Sequence, residues 1–277
     1  MSTSGHLLEI RNVAKTYGSG EKATHAIADV SCSVDDREFV CVVGPSGCGK
    51  TTLLKCVGGL LRPTSGQVLL RGKQVTAPPE EMALVFQEYG RSLMPWSSVR
   101  NNVLLPLRHK RLGRRERKPL VEEALAAVGL TRFIDHYPWQ LSGGMQQRVA
   151  IARALAYQPS ILLMDEPFAS VDAQTRGDLE DLVLRVREEF AVTILFVTHD
   201  IDESVYLSDR VVVLTHAPTQ VKEQIDVDLP FPRDQIATKE LPEFTHLRGH
   251  VYRLIRRELG PSEELAAATT ATKGEGG

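Results

Sequence analysis

A glycine-rich stretch of eight residues constrains the fold of this chain more than any other part of the sequence. Residues 44–51 read GPSGCGKT and match the pattern G-x-x-x-x-G-K-[ST]. The preceding residues 39–43, FVCVV, predict a buried strand, and residues 52–57, TLLKCV, predict a helix. In such a setting the glycines let backbone N–H groups turn inward, and the helix N-terminus adds its positive dipole end. Residues 44–51 therefore predict a phosphate-binding loop, and we call them the phosphate loop.

The side chains of the phosphate loop predict contacts with a nucleotide. Lys50 is expected to reach the terminal phosphates, and Thr51 is expected to place its hydroxyl on Mg²⁺. The residues expected to bind nucleotide in and beside the loop are Gly44, Pro45, Ser46, Gly47, Cys48, Gly49, Lys50, Thr51 and Thr52. The loop indicates binding of a nucleoside triphosphate, but it does not indicate what the energy of hydrolysis drives.

Length and charge limit the class of protein. A chain of 277 residues is long enough for one large α/β domain or for one domain with an appendage. Hydrophobic residues make up 42% and charged residues 25%, which is typical of a soluble globular protein. The net charge of −2 provides no global basic field, so we expect no nucleic-acid partner.

The cysteines and the apolar runs indicate the compartment. The four cysteines form no C-x-x-C pair and no zinc-binding spacing, which favours a reducing, cytosolic setting. Cys48 lies inside the phosphate loop, so we expect it to be accessible to thiol reagents. No run approaches about 18 apolar residues, so any membrane span would have to come from another chain.

Apolar runs and amphipathic periods alternate along most of the chain. Tyr17 is expected in a Gly- and Ser-rich turn. Strands are predicted at residues 6–13, 24–34, 67–70, 82–86, 161–164, 192–197, 210–214 and 221–227. Helical periods lie at 120–128, from Ser142 to about 156, at 179–190 and at 244–255. The alternation of strands and helices predicts a parallel sheet that is covered on both faces.

An acidic pair follows the predicted strand at residues 161–164. Phosphate-loop enzymes need an acidic residue at the end of a neighbouring strand to hold Mg²⁺, and Asp165 is in that position. Glu166 comes next, although adjacent carboxylates repel each other. Glu166 is therefore better explained as the group that orients and activates an attacking water than by folding alone. A solvent-facing glutamate at a strand end is the alternative interpretation.

One stretch between the phosphate loop and Asp165 resembles the ATP-binding cassette (ABC) ATPases. Residues 141–148, which we call the signature stretch, read LSGGMQQR and are similar to the signature motif of that family. Tyr17 resembles the aromatic residue that stacks on adenine, and Gln87 resembles the glutamine loop. Residues 169–172 resemble the loop that couples two sites, and His199 resembles the switch histidine. The resemblance covers residues 6 to about 216.

The resemblance implies a fold class and cofactors. The fold is expected to be α/β, with a P-loop NTPase core (the ABC nucleotide-binding domain), an N-terminal antiparallel β subdomain and an inserted α-helical subdomain. ATP and Mg²⁺ are the implied cofactors. Thr51, Gln87 and Asp165 are the implied metal ligands, and Glu166, His199 and Gln87 are the implied catalytic residues.

The signature stretch also implies a partner. Ser142, Gly143 and Gly144 open a predicted helix, whose N–H groups and dipole suit an anion. The phosphate loop already serves the chain's own nucleotide, so a second anion-binding helix terminus makes sense if it serves another copy. In the family, two cassettes meet head to tail and enclose two ATP molecules. The resemblance therefore implies a dimer with a second copy of this chain.

The resemblance divides the chain into regions. The ABC ATPase domain is expected at residues 6–230, with the helical subdomain at about 88–158. A C-terminal helical extension is expected at 231–260. Residues 261–277 are rich in Ala, Thr and Gly, and they predict a disordered tail.

A single cassette without membrane spans resembles the motor of a bacterial importer. Residues 86–96, FQEYGRSLMPW, and 229–233, LPFPR, resemble the ATPases of the nitrate/sulfonate/taurine importers. That subgroup implies import of a small anionic solute, transmembrane permease subunits as partners, a periplasmic solute-binding protein as an indirect partner, and a peripheral position on the cytoplasmic face of the inner membrane. An ABC exporter or lipid-extraction motor, and a non-transport ABC ATPase acting on a macromolecule, are the alternatives. A phosphate-loop kinase is disfavoured, because Glu166 and His199 suit water activation.

Two further stretches have more than one interpretation. Residues 93–96, LMPW, either belong to the local core or form an exposed apolar dock for a helix of the membrane subunit. The basic residues at 108–111 and 114–118 either form a solvated surface or contact anionic lipid headgroups or a partner subunit. The sequence does not decide between these alternatives.

Overall fold

The computed structural model describes residues 5–87 and 89–258. Glu88 and the predicted tail at 261–277 lie outside the described residues, as do residues 259 and 260 of the predicted extension. The strands are β1 (Leu8–Tyr17), β2 (Thr24–Val34), β3 (Phe39–Val43), β4 (Ser65–Leu70), β5 (Lys73–Gln74), β6 (Met82–Val85), β7 (Ile161–Asp165), β8 (Thr193–Val197), β9 (Arg210–Leu214) and β10 (Thr219–Asp226). The helices are α1 (Lys50–Val57), α2 (Tyr89–Ser92), α3 (Val99–Leu104), α4 (Arg114–Ala127), α5 (Gly143–Ala156), α6 (Ala173–Phe190), α7 (Ile201–Leu207) and α8 (Pro242–Glu258).

One sheet runs through the described part of the chain, in the order β5-β4-β1-β2-β10-β9-β3-β8-β7-β6. The strands from β9 to β6 are parallel to one another, as the alternation of strands and helices predicts. At the other end, β1 pairs antiparallel with β2 and β4, and β4 pairs antiparallel with β5. The closing strand β10 pairs antiparallel with β9 and parallel with β2, and it joins the two halves. The expected core with its N-terminal antiparallel β region is therefore confirmed.

The parallel strands are covered on both faces. In β3, Phe39, Cys41 and Val43 pack into one buried cluster, while Val40 and Val42 pack into the other. Successive side chains of a strand point to opposite faces of the sheet, so this division is the one that a doubly covered strand requires. A fully buried run such as FVCVV is accordingly apolar at every position.

Helices α2–α5 lie in the chain between β6 and β7, which is the position expected for the inserted helical region. On α4, Val121, Ala124 and Leu125 are buried, as the predicted apolar face requires. The basic residues at 114–118 differ from the prediction, since they form the first turns of α4 rather than a segment before it. Residues 114–118 are all charged, so the apolar period that predicts a helix begins only at Leu120, later than the helix itself.

Other boundaries also differ from the predictions. Strand β1 continues to Tyr17 and not to Val13, because register shifts after Ile10 let it pair with β2 to the end. Tyr17 therefore ends a strand instead of lying in the turn that follows. The two-residue strand β5 and the short helix α7 have too few residues to show a period, and the sequence did not predict them.

The C-terminal extension packs onto the core. Helix α8 buries Phe244, Val251 and Leu254 and contacts α7 and β9. Before it, the buried guanidinium of Arg233 donates hydrogen bonds to the carbonyl oxygens of Val205, Tyr206 and Ser208 at the end of α7. Within the described residues, we find no helix that is both long and apolar enough to cross a membrane.

Candidate functional site

The phosphate loop joins β3 to α1 and holds its own lysine. Gly47 and Gly49 have φ values of 74° and 104°, in the region that favours glycine. A Cβ at Gly47 would meet nothing within 4 Å, so backbone conformation rather than packing explains this glycine. Lys50 is only 6% exposed, and its Nζ donates to the carbonyl oxygens of Gly44 at 2.8 Å and Pro45 at 3.0 Å. The open concave backbone with an inward ammonium fits a polyphosphate.

Thr51 and Asp165 come together from α1 and β7. The Thr51 hydroxyl donates to Asp165 Oδ1 at 3.1 Å, although the two residues are far apart in sequence. Asp165 is 6% exposed, and its pKa is raised by burial, against which the Thr51 hydrogen bond lowers it. A buried carboxylate beside a hydroxyl is a set of hard oxygen donors, which is what Mg²⁺ takes from a protein before substrate phosphates complete its shell. These two side chains therefore fit the implied metal.

Three predicted catalytic side chains meet at one carboxylate. His199 Nδ1 lies 3.0 Å from Glu166 Oε2, and the Gln87 amide donates to the same oxygen at 3.4 Å. Glu166 directly follows β7, with a φ of 43° that non-glycine residues adopt rarely. Its backbone N–H donates to the Val197 carbonyl at 2.8 Å, which holds this turn against β8. The carboxylate is thus positioned by a rare backbone conformation at the end of the parallel strands, where functional sites concentrate.

A network behind His199 holds the turn between β8 and α7. The Thr198 hydroxyl donates to Glu203 Oε2 at 2.6 Å, and Arg176 of α6 donates to Asp200 Oδ2 at 2.9 Å. Burial of Glu203 raises the pKa of its carboxyl to about 7. Arg176 and Glu203 were not predicted from the sequence. The available signal was the arginine four residues after Asp172, together with three acidic residues that follow His199: Asp200, Asp202 and Glu203.

A half-buried arginine connects two predicted motifs. Arg153 of α5 donates to the Ser92 carbonyl oxygen at 2.6 Å and to the Ser92 hydroxyl at 2.8 Å. Burial lowers the pKa of its guanidinium. Arg153 thereby ties α2, which follows Gln87, to the helix that begins at the signature stretch. Arg153 was not predicted from the sequence, because nothing in its local pattern distinguishes it from a surface arginine.

Tyr17 lies at the surface beside the start of α1. Its side chain is exposed, and its hydroxyl lies 3.4 Å from the Thr52 hydroxyl. The Lys15 ammonium lies 5.3 Å from the centroid of the Tyr17 ring. The structure therefore brings the predicted aromatic residue next to the phosphate loop, with part of the ring open to solvent.

The signature stretch opens α5 as predicted. Ser142 is the N-cap, and its hydroxyl accepts a hydrogen bond from the Met145 N–H at 3.3 Å. Ser142 and Gly143 are exposed, whereas Gly144 is buried. A Cβ at Gly144 would lie 2.4 Å from Thr175 Cγ2 on α6, so this glycine is needed for close packing. Asp172 fixes Thr175 by accepting from its N–H at 3.0 Å and from its hydroxyl at 2.7 Å.

We expect Gly144→Ala to lower the free energy of unfolding by about 1–3 kcal/mol, because the added methyl overpacks the contact between α5 and α6. Thr175→Ser removes Cγ2 but keeps the hydroxyl that Asp172 holds, so the double variant should regain most of the loss. Urea unfolding of both variants and of Thr175→Ser alone measures this. If the double variant stays as unstable as Gly144→Ala, the glycine is required for a reason other than Thr175.

The prediction that Cys48 is accessible to thiol reagents is wrong. The residue is 1% exposed, and its burial raises the pKa of the thiol. The Thr219 hydroxyl from β10 donates to the Cys48 carbonyl oxygen. Cys48 therefore contributes backbone to the phosphate loop, while its side chain is buried, as are those of the other three cysteines.

Each of the two interpretations of residues 93–96 holds for part of that stretch. Leu93 is buried, whereas Trp96 is 75% exposed. The local-core interpretation is therefore right for Leu93 and wrong for Trp96. A large aromatic side chain that is left in solvent beside the helical region marks a candidate contact surface.

Comparison with known proteins is consistent with this geometry. The family profile described as ABC transporter matches residues 27–169. The uncharacterized ABC transporter ATP-binding protein MJ0412 of Methanocaldococcus jannaschii is 46% identical over 252 residues, which cover 91% of this chain and 92% of that protein. The nitrate import ATP-binding protein NrtC of Synechococcus elongatus is 45% identical over 84% of this chain, but the match spans only 36% of NrtC. The bicarbonate transport ATP-binding protein CmpC of the same species is 42% identical over 90% of this chain and 38% of CmpC.

Solved structures of ABC transporter proteins also match this chain. CbiO1 of Clostridium perfringens, part of the ABC transporter complex cbiONQ, matches with a TM-score of 0.73 and 28% identity, over 80% of this chain and 89% of that one. The dimeric cassette MJ0796 bound to ADP and Pi matches with a TM-score of 0.69 and 34% identity, over 79% of this chain and 98% of that one. With the phosphate loop, the acidic pair and the signature stretch in place, the chain belongs to the ABC transporter family as an ATP-binding and ATP-hydrolysing subunit.

Proposed function

We propose that this ABC ATPase drives import of a small anionic solute, of the nitrate, sulfonate or taurine kind, through a membrane permease. The observation that carries its role as a motor is the meeting of Gln87 and His199 at the Glu166 carboxylate. The likeness to NrtC and CmpC, whose names state nitrate import and bicarbonate transport, supports import of an anion. The match spans 36% and 38% of those two proteins, so their solutes define a class for this chain and no single compound.

Each site residue has a proposed role in hydrolysis. Lys50 and the backbone N–H groups of the phosphate loop bind the β- and γ-phosphates, and Tyr17 stacks on adenine. Thr51, Asp165 and Gln87 would hold Mg²⁺, which supplies neutralisation of the phosphate charge. Glu166 accepts a proton from the attacking water.

His199 has a separate proposed role, since it contacts the γ-phosphate and reports its loss. The turn that carries it also holds Asp200, which Arg176 of α6 contacts. A displacement of His199 would therefore move Asp200 and change its contact with Arg176 near the start of α6, close to the loop at residues 169–172. This contact supports communication between the two motifs.

A second copy completes the proposed site. The exposed Ser142 and Gly143 at the start of α5 offer N–H groups and a helix dipole to an anion. We propose that they bind the ATP held by the partner's phosphate loop, in a head-to-tail dimer. The MJ0796 structures, whose titles describe a dimeric cassette, support pairing of two copies.

The permease is the second proposed partner. Trp96 follows Gln87 and α2 in the chain, and its side chain is exposed. We propose that it docks a short helix of the transmembrane subunit. The chain would then lie peripherally on the cytoplasmic face of the inner membrane. A periplasmic solute-binding protein would act on it only through the permease.

The test is anion uptake by cells that lack the gene for this chain. We expect loss of uptake of labelled nitrate, taurine or bicarbonate, with recovery when the wild-type chain is restored. Cells carrying Trp96→Glu should take up about tenfold less of the same anion, because a central aromatic anchor contributes about 2 kcal/mol or more to an interface. The purified Trp96→Glu protein should keep basal ATPase activity and ATP affinity near the wild-type values.

Three outcomes contradict the proposal at different points. If deletion changes the uptake of none of these anions, the solute class or the direction of transport is wrong. If Trp96→Glu restores full uptake, the solute class stands and the docking surface is elsewhere. Loss of ATP binding by Trp96→Glu would instead show that the side chain supports the local fold.

A further inference from the structure

A basic cavity lies between α3 and the N-terminal half of α4. Its volume is about 360 Å³, and Leu104 and Val121 give it an apolar floor. Five side chains around it are cationic: Arg100, Arg108, Arg114, Arg117 and Lys118. None of the described residues that line it carries a carboxylate. We call it the basic cavity, and no residue with a role in the ATP site lines it.

Helix geometry concentrates this charge. Arg114, Arg117 and Lys118 are three and four residues apart on α4, so they lie on the same face of the helix. Val121 is on that face as well, and it is buried. Like charges at this spacing repel each other, so the face is unfavourable unless something neutralises it.

The acidic residues nearby neutralise only part of the charge. Arg100 pairs with Asp135 at 3.3 Å, and Lys118 lies 3.7 Å from Glu122. The Arg117 guanidinium donates to a backbone carbonyl oxygen at 3.4 Å, and its Nε is buried without a hydrogen-bond partner.

The side chains of Arg108 and Arg114 make no hydrogen bond and no ion pair with another residue in the described ranges 5–87 and 89–258. Glu116, on the first turn of α4, is engaged with the Gly113 N–H. With Arg117, the cavity therefore presents three guanidinium groups that have no carboxylate partner in the described part of the chain.

We propose that the basic cavity binds a phosphate-bearing anion. Guanidinium groups present paired N–H donors that match the oxygens of phosphate, and several of them around one concave site favour a multiply charged ligand. The ligand is either a small soluble phosphate compound or the headgroup of an anionic phospholipid, and both offer the same phosphate chemistry. This inference does not depend on the proposed import function.

The experiment uses the full-length protein with Mg²⁺ and ADP at saturation, so that added phosphate compounds do not report on the phosphate loop. One arm titrates pyrophosphate by calorimetry. The other arm co-sediments the protein with phosphatidylcholine vesicles, with or without phosphatidylglycerol. The test variant is Arg108→Gln with Arg114→Gln. The matched control is Arg111→Gln with Arg115→Gln, which removes the same charge from exposed side chains of the same segment outside the cavity.

We expect the wild-type protein to bind in at least one arm, and that arm identifies the source of the phosphate. The test variant should bind roughly tenfold more weakly, while the control stays within about twofold of the wild type. No binding by the wild type in either arm overturns the proposal, and so does an equal loss in both variants, which would show a general charge effect. Thermal unfolding is compared first, and Lys118→Gln replaces the test variant if that variant melts early.

Discussion

Glu166→Gln should reduce the ATPase turnover of this chain by about 100-fold or more, with little change in ATP affinity. The carboxylate is the point where the structure joins the Gln87 amide at 3.4 Å and the His199 ring at 3.0 Å. A glutamine there keeps the size and one acceptor oxygen, but it does not accept the proton of an attacking water. Lys50, Thr51 and Asp165 are untouched, so the phosphate contacts remain.

Single-turnover hydrolysis and equilibrium ATP binding separate the two effects of Glu166→Gln. Glu188→Gln is a suitable control, because it makes the same chemical change on a glutamate side chain that is 73% exposed. The control should hydrolyse ATP at the wild-type rate. If Glu166→Gln also hydrolyses ATP near that rate, Glu166 is not the proton acceptor, and its contacts with Gln87 and His199 serve only the fold.

Three parts of this site lie at the ends of strands, and the sequence identified one of them, His199, only through the resemblance to the ABC ATPases. The phosphate loop follows β3, Asp165 ends β7 and His199 comes soon after β8. Parallel pairing of β3 with β8 and of β7 with β8 brings the ends of these strands to one edge of the sheet. A prediction of buried parallel strands was therefore enough to predict that Asp165 lies beside the phosphate loop, more than a hundred positions earlier in the chain, whereas the prediction for His199 rested on the resemblance.

The supporting contacts could not be predicted in the same way. Arg176 contacts Asp200, and Arg153 contacts Ser92, across pairs of elements whose relative placement is fixed only by the packed core. The burial of Cys48 has the same origin, since the inward side of the phosphate loop is determined by what packs beneath it. A local sequence pattern predicts whether a segment is a helix or a strand and where it ends. It does not predict which residue a long polar side chain will contact.

The sequence also did not allow prediction of which side chains remain exposed at the surface. Leu93 and Trp96 lie in one short apolar stretch, yet only Leu93 is buried. The arginines of the basic cavity were visible as a charge run, but their convergence depends on how α3 packs beside α4. Both cases show that a motif becomes a candidate site only when the tertiary structure leaves it exposed or concave.

The dimer proposal leads to a prediction with an all-or-none outcome. With ATP and Mg²⁺, Glu166→Gln should sediment at twice the monomer mass, because bound ATP that is not hydrolysed keeps the two copies together. Without nucleotide it should sediment as a monomer. Adding Ser142→Arg should abolish the dimer while ATP binding persists, since Ser142 is exposed at the start of α5 and the long cationic side chain would occupy the surface that meets the partner's nucleotide.

A second N-cap serine supplies the control for that experiment. Ser98 caps α3 through the Asn101 N–H, as Ser142 caps α5 through the Met145 N–H, so each arginine substitution removes one capping contact of about 1 kcal/mol. Ser98→Arg in the Glu166→Gln background should still dimerise, because α3 lies outside the signature stretch, whose helix start is the surface proposed to meet the partner's nucleotide. If Ser142→Arg dimerises as well, the start of α5 is not at the interface. If Glu166→Gln alone stays monomeric with ATP, the chain does not form the proposed sandwich, and the exposed Ser142–Gly143 terminus needs another explanation.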